Sequence, residues 1–377
     1  MRGEQNSDTI IATWLIVDSP CDASVFPQAG LDSASARFQE IYWRCVACFF
    51  ATSVRLNIAT RHLLFTNVER IPEIDGFSLS ELLEHLGVEV RVLPITHRLG
   101  RDKVSRWNNQ FYILDIIKDL RRRDDFRCAA VFDSDCVWVR SGDGLIADIA
   151  RRGVLTVCIP YAADFKVNQA SREDLQEAAL QLTGKLLRRV PHYAGGELFA
   201  ATSENVSRIQ EVAAPMWERL QESAAGEVPV YEEGHFLSIV YDILEVPIGT
   251  ADPHIRRMWT ALRLYNVTWE DIDSSRCVWH LPMEKKTGFV DLFSAVREPS
   301  SWFWQVTPDQ LRLRIAATMG MPRPNARQWL NKLRTRTMDH VATWKSRRDK
   351  KRMLENPYAA AGKPSAILAP PRAGIGR

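Results

Sequence analysis

The sequence contains no long hydrophobic run: its densest apolar stretch, 45–51, falls far short of the roughly 20 residues that a membrane-spanning helix needs. The opening MRGEQNSDTI lacks the apolar core and small-residue cleavage site of a signal peptide, so a cytoplasmic protein is expected. Cysteine is sparse. Seven are scattered at 21, 45, 48, 128, 136, 158 and 277, an odd number without the dense spacing of a secreted disulfide scaffold. Cys45 and Cys48 have the spacing of a redox or zinc pair, but they lie inside the apolar stretch 41–50 and no second such pair exists to complete a tetrahedral site. They read as reduced, buried helix residues. A dominant charge is missing too: 49 basic against 46 acidic residues leave +3, which points to no polyanion partner for the whole chain. No internal repeat is visible.

What is present is an ordinary globular balance, 46% hydrophobic and 25% charged over 377 residues, enough for one large α/β domain or two smaller ones. The small net charge hides an asymmetry. Residues 312–352 carry 13 basic and 2 acidic side chains and 353–377 add +2, so 1–311 hold −10. So one-sided a segment is a solvated face, a contact with an anionic surface, or a contact with nucleic acid.

From about 8 to 140, short β-rich runs alternate with longer helical ones, the order of a βαβ sheet. Strands are expected at 9–17, 62–66, 88–93 and 128–132, with helices at 36–56, 79–86 and 103–121 between them. The fold class is therefore α/β, a mixed, mostly parallel sheet flanked by helices. Further on, a strand is expected at 154–159, helices at 172–190 and 204–222, and a helix or buried strand at 236–244. The expected organisation is a domain over 1–290, a helical basic extension over 291–355 and a disordered Pro/Ala/Gly tail over 356–377. Ligands of such sheets bind beyond the carboxyl ends of the strands, which singles out Asp18, Asn67, Pro94, Asp133 and Asp135.

Asp133 and Asp135 follow the apolar strand AAVF directly, two residues apart, so both can reach one cation from an extended turn. Hard divalent ions such as Mg²⁺ and Mn²⁺ take one or two carboxylates and fill their remaining positions with water and phosphate. A DxD pattern alone is weak, and a second copy at Asp271 and Asp273 provides a control. That copy follows Trp269-Glu270 in what reads as a polar loop with no apolar strand before it, so context favours 133/135.

On these residues the chain resembles the GT-A fold of nucleotide-sugar-dependent glycosyltransferases, whose DxD follows the fourth strand; the resemblance covers about 8–290. It implies that Thr13 and Trp14 in the opening strand hold base and ribose. It also implies that Asp133, Ser134 and Asp135 hold ribose and a Mn²⁺ or Mg²⁺ ion. The segment Val278-Trp279-His280-Leu281-Pro282-Met283-Glu284-Lys285-Lys286 resembles the His-x-x-Gly-x-x-Lys of retaining members. That likeness places His280 on the metal and Lys286, with Lys285 as the rival, on the diphosphate, although Met283 replaces the glycine. A helix leading into the DxD strand offers Arg106 to the nucleotide-sugar. Gly195-Gly196-Glu197 resembles the segment that lines donor sugar and acceptor, and Glu232-Glu233 the acidic pair that supplies the base in inverting relatives. Glu233 and Glu197 are thus the catalytic candidates.

The function these residues imply is transfer of a sugar from a nucleotide diphosphate sugar, UDP being the commonest choice, to a hydroxyl of a glycan or small molecule. The cation and a lysine stabilise the departing diphosphate. Two alternatives differ in class. A sugar-nucleotide nucleotidyltransferase would need a Gly-rich basic loop after the first strand, where the chain has Asp18-Ser19-Pro20-Cys21-Asp22. A nucleic-acid-binding protein would use the aromatic, basic segment 302–352. The same segment suits peripheral contact with anionic lipid on the inner membrane face, or packing on the acidic body, and nucleic acid is the less expected partner.

Overall fold

Alternation along the first strand sets the architecture. β1 (Thr9–Leu15) sends Ile11 and Leu15 into one hydrophobic cluster and Ile10 and Ala12 into another, the period-2 pattern of a strand covered on both faces. The computed structural model describes residues 8–20, 23, 25–26, 31–100, 103 and 109–337. The chain divides into two units, 1–332 and 333–377, and the architecture below is that of the first.

β1 lies in a six-stranded sheet with β2 (Arg61–Thr66), β3 (Val88–Val92), β4 (Cys128–Phe132), β6 (Val154–Leu155) and β9 (Leu198–Thr202), in the order β6-β9-β4-β1-β2-β3. β3, β2, β1 and β4 run parallel, while β9 is antiparallel to both β4 and β6. The expected mixed, mostly parallel sheet is what forms.

Helices α1 (Ala36–Leu56), α2 (Leu79–Leu86), α4 (Asp143–Arg152) and α9 (Gly288–Val296) cover one face. The other is covered by α3 (Tyr112–Arg121), α5 (Arg172–Thr183), α6 (Ser203–Glu222) and α7 (Glu233–Ile243). α1 starts where the Ser35 hydroxyl accepts the Phe38 N–H, and it buries Trp43, Cys45, Cys48, Phe49 and Phe50. Each such aromatic contributes roughly 1.5–3 kcal/mol by leaving water. The Cys45 and Cys48 thiols are both pushed up by that burial, as inert packing residues are.

Some expected boundaries move. Of the helix expected over 103–121, the described residues are helical at 112–121, and 104–108, including Arg106, lie outside the described residues. The helix expected to reach 190 stops at Thr183, where Gly184 caps it at φ 70°. The strand expected over 154–159 breaks in two: after β6, the Thr156 N–H turns to the Thr250 hydroxyl, and β7 (Cys158–Ile159) pairs with β8 (Tyr193–Ala194) instead. The apolar run at 236–244 is helical, lying in α7 up to Ile243 with Leu244 as its C-cap.

The control DxD sits in a short helix, α8 (Trp269–Asp273), rather than a loop. Asp271 caps that helix and meets Arg256 Nε at 3.1 Å, and Asp273 accepts Arg312 at 3.0 Å. Both carboxylates are spent on structure. After residue 290, α10 (Trp302–Gln305) and α11 (Pro308–Thr318) lend Phe303, Leu311 and Ile315 to the core. The residues from 338 on, the end of the basic stretch and the whole expected tail, lie outside the described segments. Among the described residues no helix is long and apolar enough to cross a membrane.

Candidate functional site

The end of β4 is fixed from both sides. Thr13 on β1 donates its hydroxyl to the Phe132 carbonyl at 2.9 Å, and the Asp133 N–H donates to the Glu197 carbonyl at 3.1 Å. Because β9 runs antiparallel to β4, with Leu198 opposite Phe132, its preceding residue Glu197 lies beside Asp133. A second, three-stranded sheet then brings distant residues to the same point. It joins β5 (Cys136–Trp138), β11 (Val278–His280) and β10 (Ile255–Arg257), with His280 opposite both Cys136 and Arg257. The Leu281 N–H donates to the Asp135 carbonyl at 2.9 Å and completes the seam.

Asp133, Asp135 and His280 therefore converge, each offering one ligand atom within 4.8 Å of the others. His280 Nε2 is 3.3 Å from Asp135 Oδ2 and 3.7 Å from Asp133 Oδ2, and its Nδ1 faces Glu197 Oε1 at 3.8 Å. That last pair is too long for a hydrogen bond, and both atoms are buried without a partner. Carboxylates and imidazole are both metal ligands, so this largely buried trio could hold a metal ion.

The trio borders a cleft of about 280 Å³. Five carboxyls line it, those of Asp133, Asp135, Glu197, Glu232 and Glu233, against the fixed cations Arg257 and Lys285. The surplus shows in the protonation equilibria. Burial disfavours the Asp135 carboxylate, but Lys285 and His280 outweigh it and hold the group well below the usual range. Asp133 is pushed up, first by burial and then by the Asp135 charge. Burial opposes the charge on His280, yet Asp135 and Glu197 raise it to about 9.

Glu197 is fully buried, with Oε2 on Arg257 Nη2 at 2.5 Å, and despite burial Arg257 and His280 hold it at about 2. Expected as a catalytic carboxylate, it is instead committed to Arg257 and faces the imidazole. A carboxylate held that low is a weak base. Glu232 caps α7 and Glu233 opens it, and both are raised. Burial lifts Glu232 to about 8 against the pull of Arg257, and burial together with Glu232 and Asp133 lifts Glu233 well above its ordinary value. Glu232 accepts the Asn168 amide, while Glu233 Oε2 is buried without a partner. The adjacent glycines make room for these side chains. A Cβ on Gly195 would come within 2.1 Å of Glu197 Oε2, and one on Gly196 within 2.1 Å of Glu233 Oε1.

Trp14 and Ser134, which the sequence assigns to the donor, line the cleft. Thr13 does not: alternation turns its side chain away, and its hydroxyl is used on Phe132. Lys286 does not line it either. The 281–287 loop folds in tight turns around the buried Glu284, which directs Lys285 inward while Lys286 is half-buried elsewhere. Of the other strand-end residues, Asp18 accepts Ser33, Arg98 and Asn109, and Asn67 pairs with the Val17 backbone, so both serve to hold loops.

Sequence inspection passed over Arg257 and Tyr42. The first sits in an unremarkable Ile-Arg-Arg strand and the second in an apolar helix, and neither belongs to a motif. Comparison with protein-family models and with curated proteins gives no match.

Proposed function

We propose that the protein is a metal-dependent glycosyltransferase of the GT-A type, moving a sugar from a nucleotide diphosphate sugar to a hydroxyl acceptor on a glycan or small molecule. One observation carries this reading: Asp133 and Asp135 at the end of a parallel strand meet His280, 145 residues on from Asp135, at the edge of a cleft. The order β3-β2-β1-β4, with the two aspartates following the fourth strand of the sheet, supports the fold assignment. A divalent cation held by the three ligands would supply positive charge to the diphosphate as it departs.

The chain's own groups supply the remaining functions. Trp14 offers an aromatic wall for the base. Lys285 stands beside Asp135 with a second positive charge for the diphosphate. Glu233, raised and with its Oε2 unpartnered, is the group available to take the acceptor proton once it ionises, whereas Glu197 is held by Arg257 and faces His280. Thermal shift with UDP, GDP, CMP and ADP, with and without Mn²⁺, tests the donor site, because a ligand that binds the folded state raises its stability. A Mn²⁺-dependent rise with one nucleotide, lost in Asp135→Ala, is expected. No rise with any of them would count against the reading.

A further inference from the structure

Lys285 stands where a cation would bind. Its side chain is 7% exposed, its ammonium donates to Asp135 Oδ2, and its Nζ lies 5.4 Å from the centroid of the Tyr42 ring. Oδ2 is also the Asp135 oxygen that faces His280 Nε2 at 3.3 Å, so the carboxylate oxygen aimed at the imidazole is already ion-paired. The backbone that carries Lys285 is held firmly. Its neighbour Glu284 is buried and accepts from the Thr260 and Thr287 hydroxyls, the Gly288 N–H and the Lys332 ammonium.

We propose that Lys285 is the built-in counter-ion of Asp135, and that it yields this carboxylate to a divalent cation only when a nucleoside diphosphate enters the cleft and accepts the ammonium in exchange. The inference rests on the metal-dependent reading above and deepens it.

Two cations cannot share one carboxylate oxygen at short range without strong mutual repulsion in a buried site. Lys285 must therefore release Oδ2 before a metal can share that oxygen with His280. A buried ammonium that loses its one ion-pair partner among the described residues is heavily penalised, and the Tyr42 ring beneath it compensates only in part. A diphosphate changes that balance. It brings at least two negative charges and several acceptor oxygens, so Lys285 exchanges one anionic partner for another. Metal and diphosphate then bind cooperatively, each raising the affinity of the other by the same factor, as linkage requires.

The test is calorimetric titration of MnCl₂ into the full-length wild type, Lys285→Met and Lys285→Gln, each alone and with saturating UDP, GDP, CDP or ADP. Met keeps the apolar stem against Tyr42 and removes the charge; Gln keeps a donor for Asp135 and carries the test if the Met variant does not fold. Wild type is expected to bind Mn²⁺ about ten-fold or more tightly with one of the nucleoside diphosphates than without. The variants should bind Mn²⁺ alone about ten-fold more tightly than wild type does and show little further gain from nucleotide. Equal Mn²⁺ affinity in the wild type and the folded variants would overturn the inference and leave the metal site standing. No Mn²⁺ binding by any of the proteins, with or without nucleotide, would overturn the metal site and this inference together.

Discussion

Replacing Arg257 by methionine isolates one charge in the wall of the cleft. Glu197 has no exposed side-chain surface, and its Oε2 takes the guanidinium at 2.5 Å. Burial alone would raise its carboxyl, but Arg257 and His280 bring it from 4.5 to about 2. At roughly 1.4 kcal/mol per unit that depression is worth on the order of 3 kcal/mol. Removing one member of a buried pair costs about 3–5 kcal/mol, because the other is left charged and unpaired. Arg257→Met should therefore lose about 3–5 kcal/mol in urea unfolding at neutral pH, and the double variant with Glu197→Gln should regain most of it. The pH dependence has a definite sign. In the wild type the depressed carboxyl contributes stability that is fully present above its unfolded value of 4.5 and is lost as pH falls through about 2. In the variant the same carboxyl rises toward or above its ordinary value, and its cost fades as it protonates. The gap between the two proteins should thus narrow steadily from neutral pH to about pH 3. A gap below about 1 kcal/mol, or one independent of pH, would refute the pairing.

Gly196→Ala would put a methyl group within 2.1 Å of Glu233 Oε1, the movable end of a side chain, so the fold should survive with a loss of about 1–3 kcal/mol in a thermal or urea melt. Displacing Glu233 should lower sugar transfer by roughly 10²–10⁴-fold if its carboxyl takes the acceptor proton, and unchanged turnover would remove it from that role. Glu284→Ala leaves the Lys332 ammonium without its buried carboxylate and should cost about 3–5 kcal/mol by chemical denaturation. A loss under about 1 kcal/mol would show that the 281–287 loop is held by something else.

The elements that depend on local pattern were legible before the structure. The helices 36–56 and 79–86 and the strand 128–132 form with the boundaries that periodicity predicts, because caps at Ser35, Ser78 and Gly87 and an uninterrupted apolar run mark their limits. Where a tertiary partner competes, the pattern misleads. The strand after α4 breaks because Thr250 and Asp252 capture the N–H groups of Thr156 and Cys158. The choice of 133/135 over 271/273 rested on the preceding strand, and the second pair is indeed committed to a helix cap and to arginines. Lys285 rather than Lys286 faces the cleft for a reason no spacing rule contains: Glu284 is pulled into the core by four donors, which sets the phase of the loop. Arg257 reaches the cleft through its pairing with β11, a contact between strands that share no local signal.

The most direct measurement is release of nucleoside diphosphate from a panel of UDP-, GDP-, CDP- and ADP-sugars, with Mn²⁺ or with chelator, by the wild type and Asp135→Asn. Mn²⁺-dependent release from one donor, abolished by chelation and by the substitution while the melting profile is retained, is the predicted result. Release that persists in the chelated wild type or in Asp135→Asn, or no release from any donor despite bound Mn²⁺, would contradict a metal-dependent sugar transfer centred on Asp133, Asp135 and His280.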